Sequence, residues 1–97
     1  MELLIDATRT YSVDKVTRCV QQGKRALREM PVETLYLDHH FGERETGSDI
    51  IRWARERHLL PKQVVLVTAS PRGRSDMAQL LRDAGYRSGD GIRYMKF

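Results

Sequence analysis

Val64–Gly73 reads VVLVTASPRG. Three valines in four residues make its first part the most strand-like segment of the chain. The apolar run stops at Thr68. Ala69-Ser70-Pro71-Arg72-Gly73 then has loop composition, and Met77, Leu80, Leu81 and Ala84 fall at helical spacing beyond it. Gly85 is a natural C-terminal cap for that helix. A short apolar strand feeding a helix through a polar loop is the unit from which α/β sheets are built.

The same unit recurs on the N-terminal side. Leu3-Leu4-Ile5 is a short apolar run ended by Asp6, and Val32 to Leu37 is a second, ended by Asp38. Ser12 can cap a helix from Val13 to about Glu29, with Val16, Cys19, Val20, Leu27 and Met30 near helical spacing. Gly23 interrupts that helix and Pro31 ends it. Thr46-Gly47-Ser48-Asp49 has the pattern of a capping box, and Ile50, Ile51, Trp53 and Ala54 give the helix that follows an apolar face. Pro61 breaks the chain before Val64. Ile92 to Phe97 reads as a last strand. Alternation of strand and helix from end to end predicts one α/β domain over residues 1–97, with a mainly parallel sheet and right-handed crossovers.

With 97 residues the chain can bury one core. Its 40% hydrophobic and 31% charged residues are those of an ordinary folded domain, not a disordered one. No apolar stretch approaches eighteen residues and no signal peptide is evident, so a cytoplasmic protein without membrane contact is expected. Cys19 is the only cysteine, which excludes an internal disulfide. The formal charge of +4, with a pI near 9.6, suits an anionic ligand such as a nucleotide, RNA or a phosphorylated small molecule. A solvated basic surface would give the same numbers.

In an open parallel sheet, ligands bind outside the carboxyl ends of the strands. Three strands here end in polar groups: Asp6; Asp38 with His39 and His40; Thr68 with Ser70. Two carboxylates from neighbouring strand ends, Asp6 and Asp38, can hold a divalent cation such as Mg²⁺, or each can orient an imidazole. Thr68 can meet a phosphoryl oxygen. The Ser70–Arg74 loop precedes a helix whose N-terminal amides attract anions; Arg72 and Arg74 add charge, and Gly73 lets the backbone approach a ligand. Simpler assignments compete. Asp6 alone is better explained as a carboxylate capping loop amides, Thr46 and Gly47 as a helix start, Trp53 as core, and His58 as surface. Strand alternation directs one of His39 and His40 toward the site, and His39 is favoured because it follows Asp38. A zinc site is disfavoured: two neighbouring His and one Asp do not easily reach one ion, and no Cys joins them.

LYLDHHFGERETGSDIIRW followed by VTASPRGRSDM resembles the cyclic-phosphate processing receiver domain, a family of small proteins related to the receivers of two-component signalling. The matching positions are Asp6, Leu37-Asp38-His39, Gly42, Thr46-Gly47, Asp49, Trp53, Pro71, Gly73, Arg74 and Met77, with Arg9 near a basic position after the first acid. The resemblance runs from about Leu3 to Tyr86. It implies a receiver-like three-layer α/β domain with a mainly parallel four- to five-stranded sheet flanked by helices. It also implies a phosphoesterase acting on a cyclic or terminal phosphate of a nucleotide or RNA. His39, Asp38 and Asp6 would then be the catalytic set, Asp6 and Asp38 the ligands of any Mg²⁺, and Arg9, Thr46, Gly47, Thr68, Ser70, Gly73 and Arg74 the phosphate-binding groups. The chain departs from the family pattern at His40 and Ala7, where acids are expected. It departs also at Val67 in place of a His, Thr68 in place of Ser and Ser70 in place of Asn. These changes weaken the metal site and keep two other readings open. One is a non-catalytic module that binds or sequesters a nucleotide. The other is a receiver-like protein or nucleic-acid interaction domain using Arg72, Arg74, Arg82, Arg87, Arg93 and Lys96.

Overall fold

The computed structural model describes residues 1–97. Its elements are β1 (Glu2–Ile5), β2 (Lys15–Thr17), α1 (Val20–Glu29), β3 (Thr34–Leu37), α2 (Gly47–Glu56), β4 (Gln63–Leu66), α3 (Pro71–Asp83), β5 (Tyr86–Arg87) and β6 (Arg93–Lys96). They form one sheet in the order β2-β1-β3-β4-β6-β5. The first four strands in that order are parallel to one another; β6 runs antiparallel to both β4 and β5. The expected α/β class and mainly parallel sheet are present, with six strands in place of four to five.

The added strands explain the difference. The expected helix from Val13 to Glu29 is two elements: Lys15–Thr17 pairs with Leu3–Ile5, and only Val20–Glu29 is helical. Val13, Val16 and Thr17 are β-branched and suit a strand, and Val16 shares a helical spacing with Val20 only by coincidence. Ser12 caps nothing helical; Cys19 is the N-cap residue of α1. At the other end, Tyr86–Arg87 makes a two-residue strand, too short to leave a period in the sequence. Its Tyr86 hydroxyl donates to the Pro61 carbonyl, and burial pushes that phenol up to about 12.

The pairing registers put Leu3, Leu35, Val64 and Tyr94 in one row, and Ile5, Leu37 and Leu66 in the next. All seven belong to a single cluster of 18 buried residues that also holds Val20, Ala26 and Leu27 of α1, Ile50, Ile51 and Ala54 of α2, and Met77, Ala78 and Leu81 of α3. The three helices therefore share one face of the sheet. Strand order dictates this. From β2 onward every helical crossover moves in the same direction across the sheet, and right-handed crossovers made in one direction lay their helices on one side. The only step the other way, β1 to β2, uses residues 6–14 and contains no helix. That loop stands where a three-layer receiver would carry a second helical layer. Tyr11 meets the edge of Tyr36 there (ring centroids 5.8 Å apart), and Leu4 on the same side is fully buried.

One approach is especially close. A Cβ on Gly23 of α1 would lie 2.6 Å from Ile5 Cδ1 and 2.8 Å from its Cγ2. Ile5 is fully enclosed and has no room to yield. Gly23→Ala should therefore destabilise the domain, because overpacking costs ~1–3 kcal/mol while the helix gains only ~0.5–1 kcal/mol from losing a glycine. Urea unfolding measures the balance; a more stable variant would contradict this account of the α1–β1 contact.

Candidate functional site

Parallel pairing of Ile5 with Leu37 sets the next residues, Asp6 and Asp38, side by side at the carboxyl edge of the sheet. Both are buried, Asp6 completely. The guanidinium of Arg9 lies between them: Nη1 is 2.9 Å from Asp6 Oδ2 and 3.3 Å from Asp38 Oδ2. Asp6 Oδ1 accepts the N–H groups of Thr8 and Arg9, 3.0 and 2.9 Å away, and so shapes the first turn of the 6–14 loop. Asp38 Oδ1 accepts the His39 N–H at 2.7 Å. Burial pushes the Asp6 carboxyl up, but the amides of Arg9 and Thr8 and the Arg9 guanidinium outweigh it and hold the group below the usual carboxylate range. Arg18 closes the loop from outside: Nη1 donates to the carbonyls of Asp6 and Arg9, and Nη2 to Thr10 Oγ1.

These donors decide the fit of a metal. Both oxygens of Asp6 and Oδ1 of Asp38 already accept hydrogen bonds, Asp38 Oδ2 is ion-paired with Arg9, and the space between the two carboxylates holds a positive charge. No group of three or more His, Cys, Asp or Glu converges as a ligand set anywhere in the chain. The pair of acids expected to hold Mg²⁺ does not fit that ion; Arg9 takes its position.

His39 sits beside this cluster and is buried. Its Nε2 is 3.1 Å from Ser48 Oγ and its Nδ1 is 3.4 Å from His40 Nε2. The two imidazoles are perpendicular, with centroids 4.6 Å apart. A Cβ on Gly73 would come within 2.6 Å of His39 Cγ, so α3 lies directly on the ring. A Cβ on Gly47 would strike the Asp38 carbonyl and lie 2.7 Å from Met77 Sδ, so α2 is equally tight against β3. Gly47 N–H donates to the His39 carbonyl at 2.9 Å. Burial first, and then the charge of His40, lower the His39 pKa from its ordinary value.

The remaining expected residues are close by and spend their polar atoms on the fold. The Asp49 carboxylate accepts from Thr46 N–H at 2.8 Å and from its hydroxyl at 3.2 Å, completing the start of α2. Thr68, buried after β4, accepts the Ser70 N–H on Oγ1 at 3.1 Å, and Ser70 Oγ caps α3 by accepting the Gly73 N–H at 3.1 Å. Arg74 Nη2 donates to the Thr68 carbonyl at 2.9 Å, leaving its buried Nε without a partner. All the strand-end residues thus share one sheet edge, joined through Val67 N–H to the Leu37 carbonyl and through Gly73 to His39. His40 is exposed and Trp53 half-buried, the latter under Lys24, Arg28 and Arg57 at 5.1 to 6.0 Å from its ring. His58 is exposed at the end of α2 with φ +57°. None of three surface hollows of about 350–370 Å³ is lined by Asp6, Asp38, His39, His40 or the start of α3; the first is lined by Arg87 to Asp90, Arg93, Met95 and Phe97. Two contributors were not legible as such. Ser48 reads as part of a helix start and Arg18 as one of many surface arginines; only the folded arrangement reveals their contacts.

A family model described as the cyclic-phosphate processing receiver domain matches residues 1–83. The chain belongs to this family. The match takes in every residue of the edge just described and stops at the last residue of α3, so the β5–β6 hairpin lies outside it. No curated protein and no solved structure matches the chain. No helix is long and apolar enough to cross a membrane. The family name links the fold to cyclic-phosphate processing, and within the family this chain carries Arg9 between its two acids and a second imidazole next to the first.

Two outcomes follow from the charges. Arg9→Met leaves Asp6 and Asp38 facing each other and should cost about 1–3 kcal/mol at neutral pH. Because Arg9 helps to hold the Asp6 carboxyl below the usual carboxylate range, that deficit should shrink as pH falls into that range. Urea unfolding of both proteins at pH 7 and pH 3.5 measures it, and an equal deficit at the two would refute the bridging role. His39 gives the second. Its depressed pKa means the unfolded chain binds the proton first, so His39 lowers stability progressively as pH falls below about 6.5. His39→Gln should flatten that part of the stability–pH curve; an unchanged slope would show that His39 does not cause it.

Proposed function

We propose that the chain hydrolyses a cyclic or terminal phosphate of a nucleotide or RNA. The observation that carries this reading is the meeting of the Arg9–Asp6–Asp38 cluster with the His39–His40 imidazole pair at one carboxyl edge of a parallel sheet, in a family named for cyclic phosphates. For a 2′,3′-cyclic phosphodiester the reaction adds water at phosphorus and breaks one P–O bond to the ribose. The released ribose oxygen takes a proton, and a phosphomonoester with a free hydroxyl remains. Imidazole is suited to moving that proton near neutral pH. Positive charge from Arg72 and Arg74 and the amides at the start of α3 would stabilise the phosphoryl oxygens. The open edge suits the end of a polymer, which needs no enclosing pocket. Since Arg9 occupies the space between the acids, we expect turnover to proceed without added Mg²⁺.

A second reading is a non-catalytic module that binds a nucleotide. The same Arg9 favours it, as does a His39 whose ring nitrogens both have partners. Incubation with 2′,3′-cyclic nucleotides and cyclic dinucleotides, in Mg²⁺ and in a chelator, separates the two. The hydrolytic reading expects product in both buffers and at least a tenfold loss of rate in a His39→Ala, His40→Ala double variant. Calorimetric binding with no product would leave the binding module standing, and wild-type rates in the double variant would remove the imidazoles from the chemistry.

A further inference from the structure

Resting on that reading of the edge, we infer that His40, not His39, is the imidazole that touches the phosphate, and that His39 and Ser48 form the bracket that holds it. The ring of His39 is buried, and neither of its nitrogens is free for a ligand. Gly73 of α3 lies against its Cγ and Nδ1. Ser48 Oγ holds Nε2 and His40 holds Nδ1. Access and hydrogen-bonding capacity are both exhausted.

His40 has what His39 lacks. It is exposed, and its Nε2 is anchored on His39 while its Nδ1 has no partner. This is true whichever way the protons run. If Ser48 donates to His39 Nε2, then His39 Nδ1–H donates to His40 Nε2 and His40 Nδ1 is left as a donor. With every bond reversed, His40 Nδ1 is left as an acceptor. Either chain ends at the same outward nitrogen. The anchor also sets where that nitrogen can be. His39 Nδ1, which His40 contacts, is the atom that a Gly73 Cβ would approach to 2.7 Å, so the His40 ring lies near the first turn of α3. Ser48 is buried in the first turn of α2, which fixes the far end of the chain of three.

The test uses the whole protein and 3′-AMP as probe, with imidazole resonances followed by ¹H–¹⁵N NMR; exposed His58 serves as the internal reference. We expect 3′-AMP to shift the His40 signals saturably while His58 stays still. His40→Ala should weaken binding by roughly tenfold or more, the usual effect of losing a charge-assisted hydrogen bond. His39→Asn, whose amide can still bond to His40, should retain more affinity than His39→Ala; a purely structural His39 would show no such rescue. Ser48→Ala should change the His39 ¹⁵N shifts that report its tautomer while leaving the probe on His40. Shifts at His39 with His40 unmoved, or unchanged affinity in His40→Ala, would overturn the inference while leaving the hydrolytic reading intact. Saturable shifts at His40 without turnover of any cyclic phosphate would do the reverse. A silent titration together with no turnover would overturn both.

Discussion

Two carboxylates at adjacent parallel strand ends are a problem that the fold has to solve. Neighbouring strands lie about 4.8 Å apart, and the register of β1 on β3 leaves Asp6 and Asp38 no choice but to be neighbours. Buried like charges at that spacing repel strongly. Arg9 resolves the conflict from three residues away, and its reach depends on the turn that Asp6 itself builds by accepting the Thr8 and Arg9 amides. A helix in this crossover would compete for those amides. The same turn starts the loop that crosses the back of the sheet without a helix. The arrangement of charge at the edge and the one-sided placement of the helices therefore have a common origin in residues 6–9.

On the helical face, two glycines set how close the chemistry can come to the core. Gly47 lets α2 touch the Asp38 carbonyl, and Gly73 lets α3 lie on the His39 ring. Any side chain at these positions would push a helix away from β3. With both helices drawn in, their first turns converge on the residues that follow β3, and Ser48 reaches His39. The close packing also dries the His39 environment, which is why burial is the leading cause of its lowered pKa.

Much of this was legible in the sequence where one period or one residue type decides. The apolar runs at Leu3, Leu35 and Val64, the capping pattern at Thr46, and Gly85 as the helix stop (φ +94°) all stand in the structure. So does the convergence of Asp6, Asp38, His39 and Thr68 on one edge, because strand ends in a parallel sheet must meet there. The failures share a cause. Val13 and Val16 fall at helical spacing and extend the apparent helix, and only pairing with β1 makes Lys15–Thr17 a strand. The pairing of Arg9 with Asp38 is likewise set by register between β1 and β3, and that of Ser48 with His39 by the packing of α2, neither of which a local pattern records. The sequence favours His39 over His40 from its position after Asp38, but no local pattern records that α3 packs on its ring.

Charge balance divides the edge into two halves. In the β1–β3 half the Arg9 guanidinium is engaged by two carboxylates, and Arg18 donates to the carbonyls of Asp6 and Arg9 and to the Thr10 hydroxyl, so neither cation is free for a ligand. A phosphate gains nothing by replacing those carboxylates at Arg9, since two buried anions would be left unpaired. The α3 half has no such burden. Arg72 is exposed, Arg74 is turned inward with an unpaired Nε, and Gly73 brings the backbone close. On our reading of the edge an incoming anion is therefore drawn to the start of α3, beside His40, and the Arg9 cluster keeps the two strand ends together rather than binding the ligand. In that division Asp6 and Asp38 are structural, and His40 supplies the imidazole on the side that the phosphate can approach.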